Sequence, residues 1–472
     1  MVAKLNLNKL LRKQVSPAIG CTEIGAVGLC VSLARYAAEG KLPIWLENEN
    51  KIKPEDCNKE FFDNMEVEKI EVEVDRNVYK NSAAVGIPGA DGRGIYLAAA
   101  LGAYCNPENK LELFKDAPEY AISAKKLIEE NKIKISVVDN WTGHADLNIK
   151  STVKFKKGSS LYEGMARIQH RHANVTMVQK GKKVLFKAVG ISDAGNAIDE
   201  ELKLLSEMKL SEMIKEVRKM DEETRRFIYE GIKMNKKAAK VGIDGNLGLG
   251  LGTELDAMVK GGFLKNDFLI YAQTLTAGAA DARMSGKNIP IMSSAGSGNQ
   301  GITAMLPIVG IGEKLNLDKN KMEKLNSNKD KLIEAVALSH LVTSYITFYS
   351  GHLSALCGCA VKAGVGAAAG VGYLLEDDKE KSTFTVGASI DNMIGAITGV
   401  ICDGAKNGCA AKLSMATETA IKSALYASRG KKIECTDGIV GKTPEESMQN
   451  IGKISKAMVP VDKAIVEIID NK

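Results

Sequence analysis

His352-Leu353-Ser354-Ala355-Leu356-Cys357-Gly358-Cys359-Ala360-Val361 and, further on, Ile401-Cys402-Asp403-Gly404-Ala405-Lys406-Asn407-Gly408-Cys409 decide how this chain is read. Together they hold four of the nine cysteines, set among glycines and alanines. Soft sulfur ligands concentrated in an apolar setting suit a zinc ion or an iron–sulfur cluster. In an unbroken helix Cys402 and Cys409 would share a face but lie roughly 10 Å apart. Gly404 and the Asn407-Gly408 pair predict a turn instead, which would bring both sulfurs to one centre. Cys357 and Cys359 differ, because two residues apart on a helix point roughly 200° apart. If their segment is helical, only one of them faces the site, and the residues alone leave open which. Three ligands are then expected, not four. Three thiolates on a four-iron cluster leave one iron open, and an open position separates a catalytic site from a structural one. A buried cysteine is otherwise a small hydrophobe; the turn between Cys402 and Cys409 argues against that reading for the group.

Outward from this stretch the second half of the chain reads as helical. Residues 353–375 are nearly continuous Ala, Gly, Val, Leu and Cys, with Gly366 and Gly370 four apart and Lys362 near the centre. Small residues and a central charge predict a buried helix packed through its glycines, not a membrane span. Residues 329–349 and 410–428 read as further apolar helices, the latter stopping at Arg429-Gly430. An alanine-rich helix is expected over 268–283, and polar, Lys/Glu-rich helices over 198–240. The texture between 46 and 189 is different. Ile70, Val72 and Val74 alternate with Glu71, Glu73 and Asp75, the pattern of a half-buried strand. Strands are also expected over 134–138, 147–155, 165–178 and 183–189, with helices over 94–104 and 117–131. The fold class is therefore α+β: a mainly helical cluster-binding domain over 196–472 and a smaller α+β domain over 46–195 with a mainly antiparallel sheet. Residues 1–45 are expected to pack on the helical domain.

Several other stretches bear on chemistry. Ser16-Pro17-Ala18-Ile19-Gly20-Cys21-Thr22-Glu23 reads as a tight loop before a helix that stops at Gly40. That places Cys21 at a helix N-terminus, where the macrodipole favours a thiolate. Ser293, Ser294, Gly296 and Asn299 belong to a Ser/Gly loop over 293–301 that opens into a helix. Its N–H groups and hydroxyls suit an anion, a substrate carboxylate above all. The glycine-rich loop over 86–94, which leads into a helix, is suited to close approach of a ligand. His170 and His172, two apart on an expected strand, would share a face, more often a solvated one than a metal site; His144 falls in the same region. The glycines at 245, 248, 250 and 252 follow a helical pattern, so a dinucleotide turn is not indicated. Gly441-Lys442-Thr443 lacks the earlier glycine of a P-loop, since position 436 is Thr.

Composition bounds the rest. The chain has 472 residues, 45% hydrophobic and 26% charged, with a formal charge of +6. That describes an ordinary globular protein with ample core. No dense basic block with interleaved aromatics appears, so no nucleic-acid partner is expected. Residues 1–8 carry no apolar h-region, so no secretory signal is expected. Nine cysteines without a compact framework fit reduced thiols in a cytoplasm. A small-molecule ligand and no membrane association are expected, and nothing opposes a homo-oligomer.

The 16–23 loop, the 293–301 loop, Leu356-Cys357-Gly358-Cys359-Ala360 and Ile401-Cys402-Asp403-Gly404-Ala405-Lys406 together resemble the L-cysteine desulfidase family, relatives of iron–sulfur L-serine dehydratase. The resemblance covers nearly the whole chain. It implies an oxygen-sensitive 4Fe–4S cluster held by three cysteines, one open iron, and no pyridoxal phosphate. The implied reaction splits L-cysteine into sulfide, ammonia and pyruvate. By the same likeness Cys402 and Cys409 are ligands, Cys357 is favoured over Cys359 as the third, and Cys21 is the acid/base residue. Ser16, Ser293, Ser294, Gly296 and Asn299 would frame the substrate. The polar stretch over 376–385 departs from the shorter glycine-containing turn of such relatives and blurs the register between the cysteine motifs. L-Serine dehydration on the same scaffold, or a non-catalytic iron–sulfur sensor or sulfur carrier, are the rival expectations.

Overall fold

The computed structural model describes residues 5–47, 66–139, 147–188, 200–315 and 325–472. His144 lies outside the described residues. Eight strands form two sheets. In chain order they are β1 (Pro17–Ile19), β2 (Glu66–Val74), β3 (Ile133–Val137), β4 (Asn148–Lys157), β5 (Ser160–Gln169), β6 (Val175–Lys180), β7 (Lys183–Lys187) and β8 (Pro290–Met292). The larger sheet has the order β3-β2-β4-β5-β6-β7, with only β2 and β3 parallel. With eighteen α-helices among the described residues around it and beside it, the fold is α+β.

Alternation explains the strands. On β2, Val67, Ile70, Val72 and Val74 are buried while Glu66, Glu68 and Lys69 are exposed, because one face of the sheet meets a helix and the other meets water. That helix is Thr22–Glu39, which crosses β4 and β5. Gly164 on β5 makes the crossing close: a Cβ there would stand 1.9 Å from Ala34 O. The expectation for residues 1–45 is thereby corrected. Helix Leu7–Gln14 does pack on the helical part, against Leu325–Ser350, but Thr22–Glu39 carries apolar residues on every side and is the main cover of the sheet. One strand expectation also changes. The run over 165–178 divides into β5 and β6 around a turn in which His170 adopts φ 68°. His170 and His172 therefore sit on a turn and not on one strand face.

The remaining helices, notably Glu222–Asp244, Phe268–Met284, Gly298–Lys314, Leu325–Ser350, Ala363–Leu375, Ser382–Ile397 and Cys409–Ser428, pack on one another through small residues. Among the described residues, Asp330–Ser350 and Gly358–Leu375 are long and apolar enough to cross a membrane, but 78% and 83% of their most apolar windows are buried inside the fold. They are core helices.

The small sheet has the largest consequence for the site. β1 and β8 run antiparallel, Pro17 opposite Met292 and Ile19 opposite Pro290. Beyond it Ser293 N–H donates to Ser16 O at 2.8 Å, and Ala295 N–H donates to Gln14 O at 2.8 Å. The loop before Cys21 and the Ser/Gly loop are thus one structure, joined across more than 270 residues of chain.

Candidate active site

Cys402 and Cys357 are held by a second short antiparallel contact. Leu356 and Ile401 form an isolated bridge, flanked by Cys357 N–H to Val400 O at 2.9 Å and Cys402 N–H to Ala355 O at 2.7 Å. In such a pair alternate residues share a face, so the Cys357 and Cys402 sulfurs emerge on the same side. Cys357 is not helical: it caps the single π-turn Gly358–Lys362 with φ −66° and ψ 102°. The 200° separation expected of Cys357 and Cys359 therefore does not apply, and both line one cavity with Cys402 and Cys409. The turn expected before Cys409 is present. Gly404 has φ 95° and lies against Lys80, where a Cβ would come within 2.1 Å of the Lys80 carbonyl oxygen. Cys409 begins the helix Cys409–Ser428.

Cys21 lines the same cavity from the opposite end of the chain, together with Glu23, Asn81, Arg283, Asn299, Gln300 and Lys412. The cavity measures about 70 Å³. It opens beside a larger one of about 570 Å³, and Glu23, Ser297, His352 and Leu353 line both. Ser16, Ser293, Gly296, His170 and His172 border the larger cavity. Ser294 borders neither; it is fully buried, with its Oγ 2.8 Å from His340 Nδ1. The Ser293 hydroxyl donates to Ser16 O at 2.6 Å, so it shapes the loop. Asn299 reaches the cavity wall and accepts a hydrogen bond from Arg283 at 3.0 Å.

Sequence reasoning missed Arg283, Gln300, Asn81 and Lys80, and gave Glu23 no role beyond its place in the 16–23 loop. Glu23 joins the group: its carboxylate accepts from the Cys21 thiol at 2.8 Å and from Asn81 Nδ2 at 3.1 Å. Burial raises this carboxyl, yet His172, Cys21 and Arg283 outweigh it and hold Glu23 below the usual carboxylate range. Cys21 moves the other way. Burial first and the Glu23 charge second push its thiol well above the ordinary value, overriding the helix N-terminus. Cys21 is thus a protonated thiol at neutral pH and not the thiolate that its helix position predicts. Among the four other sulfurs, the neighbouring Cys359 thiol holds Cys357 below the usual thiol range, and the same pairing pushes Cys359 up. Burial raises Cys409 to about 11. Lys412, ion-paired with Asp403, and Lys80, ion-paired with Asp462, supply the nearby positive charge.

Among the described residues no three His, Cys, Asp or Glu side chains meet at a point that one metal ion would occupy. The sulfurs line a wall instead. Four cysteine sulfurs on one wall, with lysines nearby, fit an iron–sulfur cluster, whose own iron and sulfide atoms span the distance between ligands.

The fold and this cavity define a two-part α+β protein with a thiol-lined site at the junction of its parts. The chain belongs to the serine dehydratase alpha chain family, whose model matches residues 136–467. It is 38% identical over 467 residues to a UPF0597 protein of Clostridium tetani, covering 98% of this chain and 97% of the relative. UPF0597 proteins of Desulfatibacillum aliphaticivorans and Clostridioides difficile are 36% and 34% identical, over 98% of this chain and 97% and 99% of theirs. The family match leaves out the Cys21 loop but includes Arg283, Gln300, Cys357, Cys359, Cys402 and Cys409.

Proposed function

We propose that the chain is a non-redox iron–sulfur lyase that eliminates sulfide from L-cysteine, leaving pyruvate and ammonia, without pyridoxal phosphate. The observation that carries this reading is the meeting of Cys21 and Glu23 with four thiols in one small cavity. Family membership supports the lyase class, and the cysteine-rich wall supports the cluster. Cys357, Cys402 and Cys409 would hold it. A 4Fe–4S cluster bound through these three thiolates would supply Lewis-acid chemistry to the departing β-substituent.

The chain's own residues do the rest. Glu23, ionised 2.8 Å from the protonated Cys21 thiol, is the base that removes the α-hydrogen. The electron pair forms the Cα–Cβ double bond and the C–S bond breaks. The Cys21 thiol gives its proton to the departing sulfide, and the proton taken up by Glu23 passes back to Cys21 across their hydrogen bond. The enamine tautomerises to an imine, and water releases ammonia and pyruvate. The 293–301 loop frames the carboxylate end of the substrate; Ser16 and Ser293 hold the loop in shape, Ser294 anchors it to His340, Gly296 gives it its turn, and Asn299 reaches the wall. Such chemistry suits a reducing cytoplasm.

A second reading, dehydration of L-serine by the same residues, is favoured by the name of the matched family. Anaerobic purification with iron and sulfide analysis, followed by parallel assays with L-cysteine and L-serine, separates the two. Faster release of sulfide with pyruvate supports the first. Faster release of pyruvate from serine assigns the second, and no product from either removes the lyase reading.

A further inference from the structure

Arg283 is a buried cation that forms no ion pair among the described residues. It lies in the last turn of Phe268–Met284, 3% exposed, on the cavity wall. Its Nη2 donates to Gly20 O at 2.8 Å and its Nη1 to Asn299 Oδ1 at 3.0 Å, both neutral acceptors. Nε is buried with no hydrogen-bond partner. Among the described residues no carboxylate bonds to this guanidinium; the Glu23 carboxylate of the same cavity feels its charge without pairing with it. Burying a charge is costly unless it is paired, so the guanidinium is prepared for a negative guest.

The backbone beside it favours the same guest. A Cβ at Gly298 would stand 2.4 Å from Arg283 Nε, so the guanidinium lies directly over the first residue of Gly298–Lys314. The Ser297 side chain makes no capping bond, which leaves the first N–H groups of this 17-residue helix to an external acceptor. Two residues on, Gln300 is 3% exposed and lines the cavity. Its amide nitrogen packs over Gly358, between Cys357 and Cys359, and its Oε1 is a buried acceptor without a donor. One wall therefore offers a cationic site and, beside it, a lone acceptor.

We infer that this wall reads the two charged ends of an α-amino acid: Arg283 and the start of helix Gly298–Lys314 take the carboxylate, and Gln300 Oε1 takes the ammonium. The inference rests on the proposed function only for the β-substituent, not for the two ends. The serine hydroxyls of the loop become supports for the helix N-terminus instead of direct contacts.

Equilibrium binding to the whole anaerobic, cluster-loaded protein tests it without turnover. The probes are 3-mercaptopropionate, which keeps the thiol and carboxylate, and cysteamine, which keeps the thiol and ammonium. R283Q should weaken 3-mercaptopropionate about 10- to 100-fold, the range of a charge-assisted pair, and leave cysteamine within about twofold. Q300L should reverse that pattern. Equal losses for both probes in R283Q, or no loss, overturn the assignment. On the unaltered chain the methyl ester of 3-mercaptopropionate should bind at least about tenfold more weakly than the acid. Equal affinities overturn the anion site even if R283Q fails to fold. Failure of the lyase reading looks different: no sulfide or pyruvate forms from either amino acid, while the Arg283-dependent preference for the acid persists.

Discussion

Cys30 and Cys21 stand on the same helix, nine residues apart, and their surroundings could hardly differ more. Cys30 is wedged between the helix and the sheet, its thiol directed at Ile149 O and Ala166 O and taking a hydrogen bond from Ser151. Burial lifts it to about 12, and the Ser151 hydrogen bond offsets only part of that. Cys21 is buried as completely, but its thiol meets a carboxylate and a wall carrying four more thiols, a guanidinium and a lysine. Burial alone makes a cysteine inert. What separates the regions is the company of charges and sulfurs at the junction of the two parts of the fold.

The largest effect should follow from removing that company. Cys402→Ala and Cys409→Ala are each expected to reduce iron in the anaerobically purified protein to background and to abolish sulfide release, because a ligand supplies a bond that nothing replaces. Full iron in either variant would place the cluster elsewhere. Cys357→Ala and Cys359→Ala sharpen the contrast within the wall. The short antiparallel contact that sets the Cys357 and Cys402 sulfurs on one side favours Cys357 as the third ligand, so Cys357→Ala should lose iron and Cys359→Ala should keep most of it. Equal loss in both would make the wall a four-thiolate site and leave no open iron.

The sheet side should respond only in stability. A thiol whose folded pKa lies above its unfolded value favours folding below the unfolded pKa, and that contribution is lost as pH rises through the folded one. With Cys30 at about 12 against an ordinary 9.0, stability should fall between those two pH values. Denaturant titrations across that range should show a flatter decline for Cys30→Ala, with iron content unchanged. At neutral pH the same variant should cost about 1 kcal/mol, the smallest effect of the set.

The sequence made one side of this comparison legible and hid most of the other. Cys357, Cys359, Cys402 and Cys409 are close in sequence to glycines that mark turns, and the antiparallel sheet follows from alternation at Ile70, Val72 and Val74. The placement of Cys21 at a helix N-terminus was also readable. Its protonation was not, since that depends on Glu23, Arg283 and His172 meeting from three separate regions. The joint that brings Cys21 to the wall is a pair of three-residue strands, each starting with proline, too short for a period to show. Arg283 read as the end of an alanine-rich helix because its place on the cavity wall appears only once its neighbours are in place. The assignment of Thr22–Glu39 to the helical part failed for a related reason. A helix apolar on every side gives no direction to its packing.

The central claim is that Cys21 acts on substrate at a cluster it does not hold. Sulfide release from L-cysteine by Cys21→Ser, assayed anaerobically beside the unaltered protein at matched iron content, tests it most directly. The account predicts equal iron per chain and a rate lower by about 10²- to 10⁴-fold, the usual contribution of a positioned acid/base group. An undiminished rate, or a Cys21→Ser protein that emerges without iron, would contradict it.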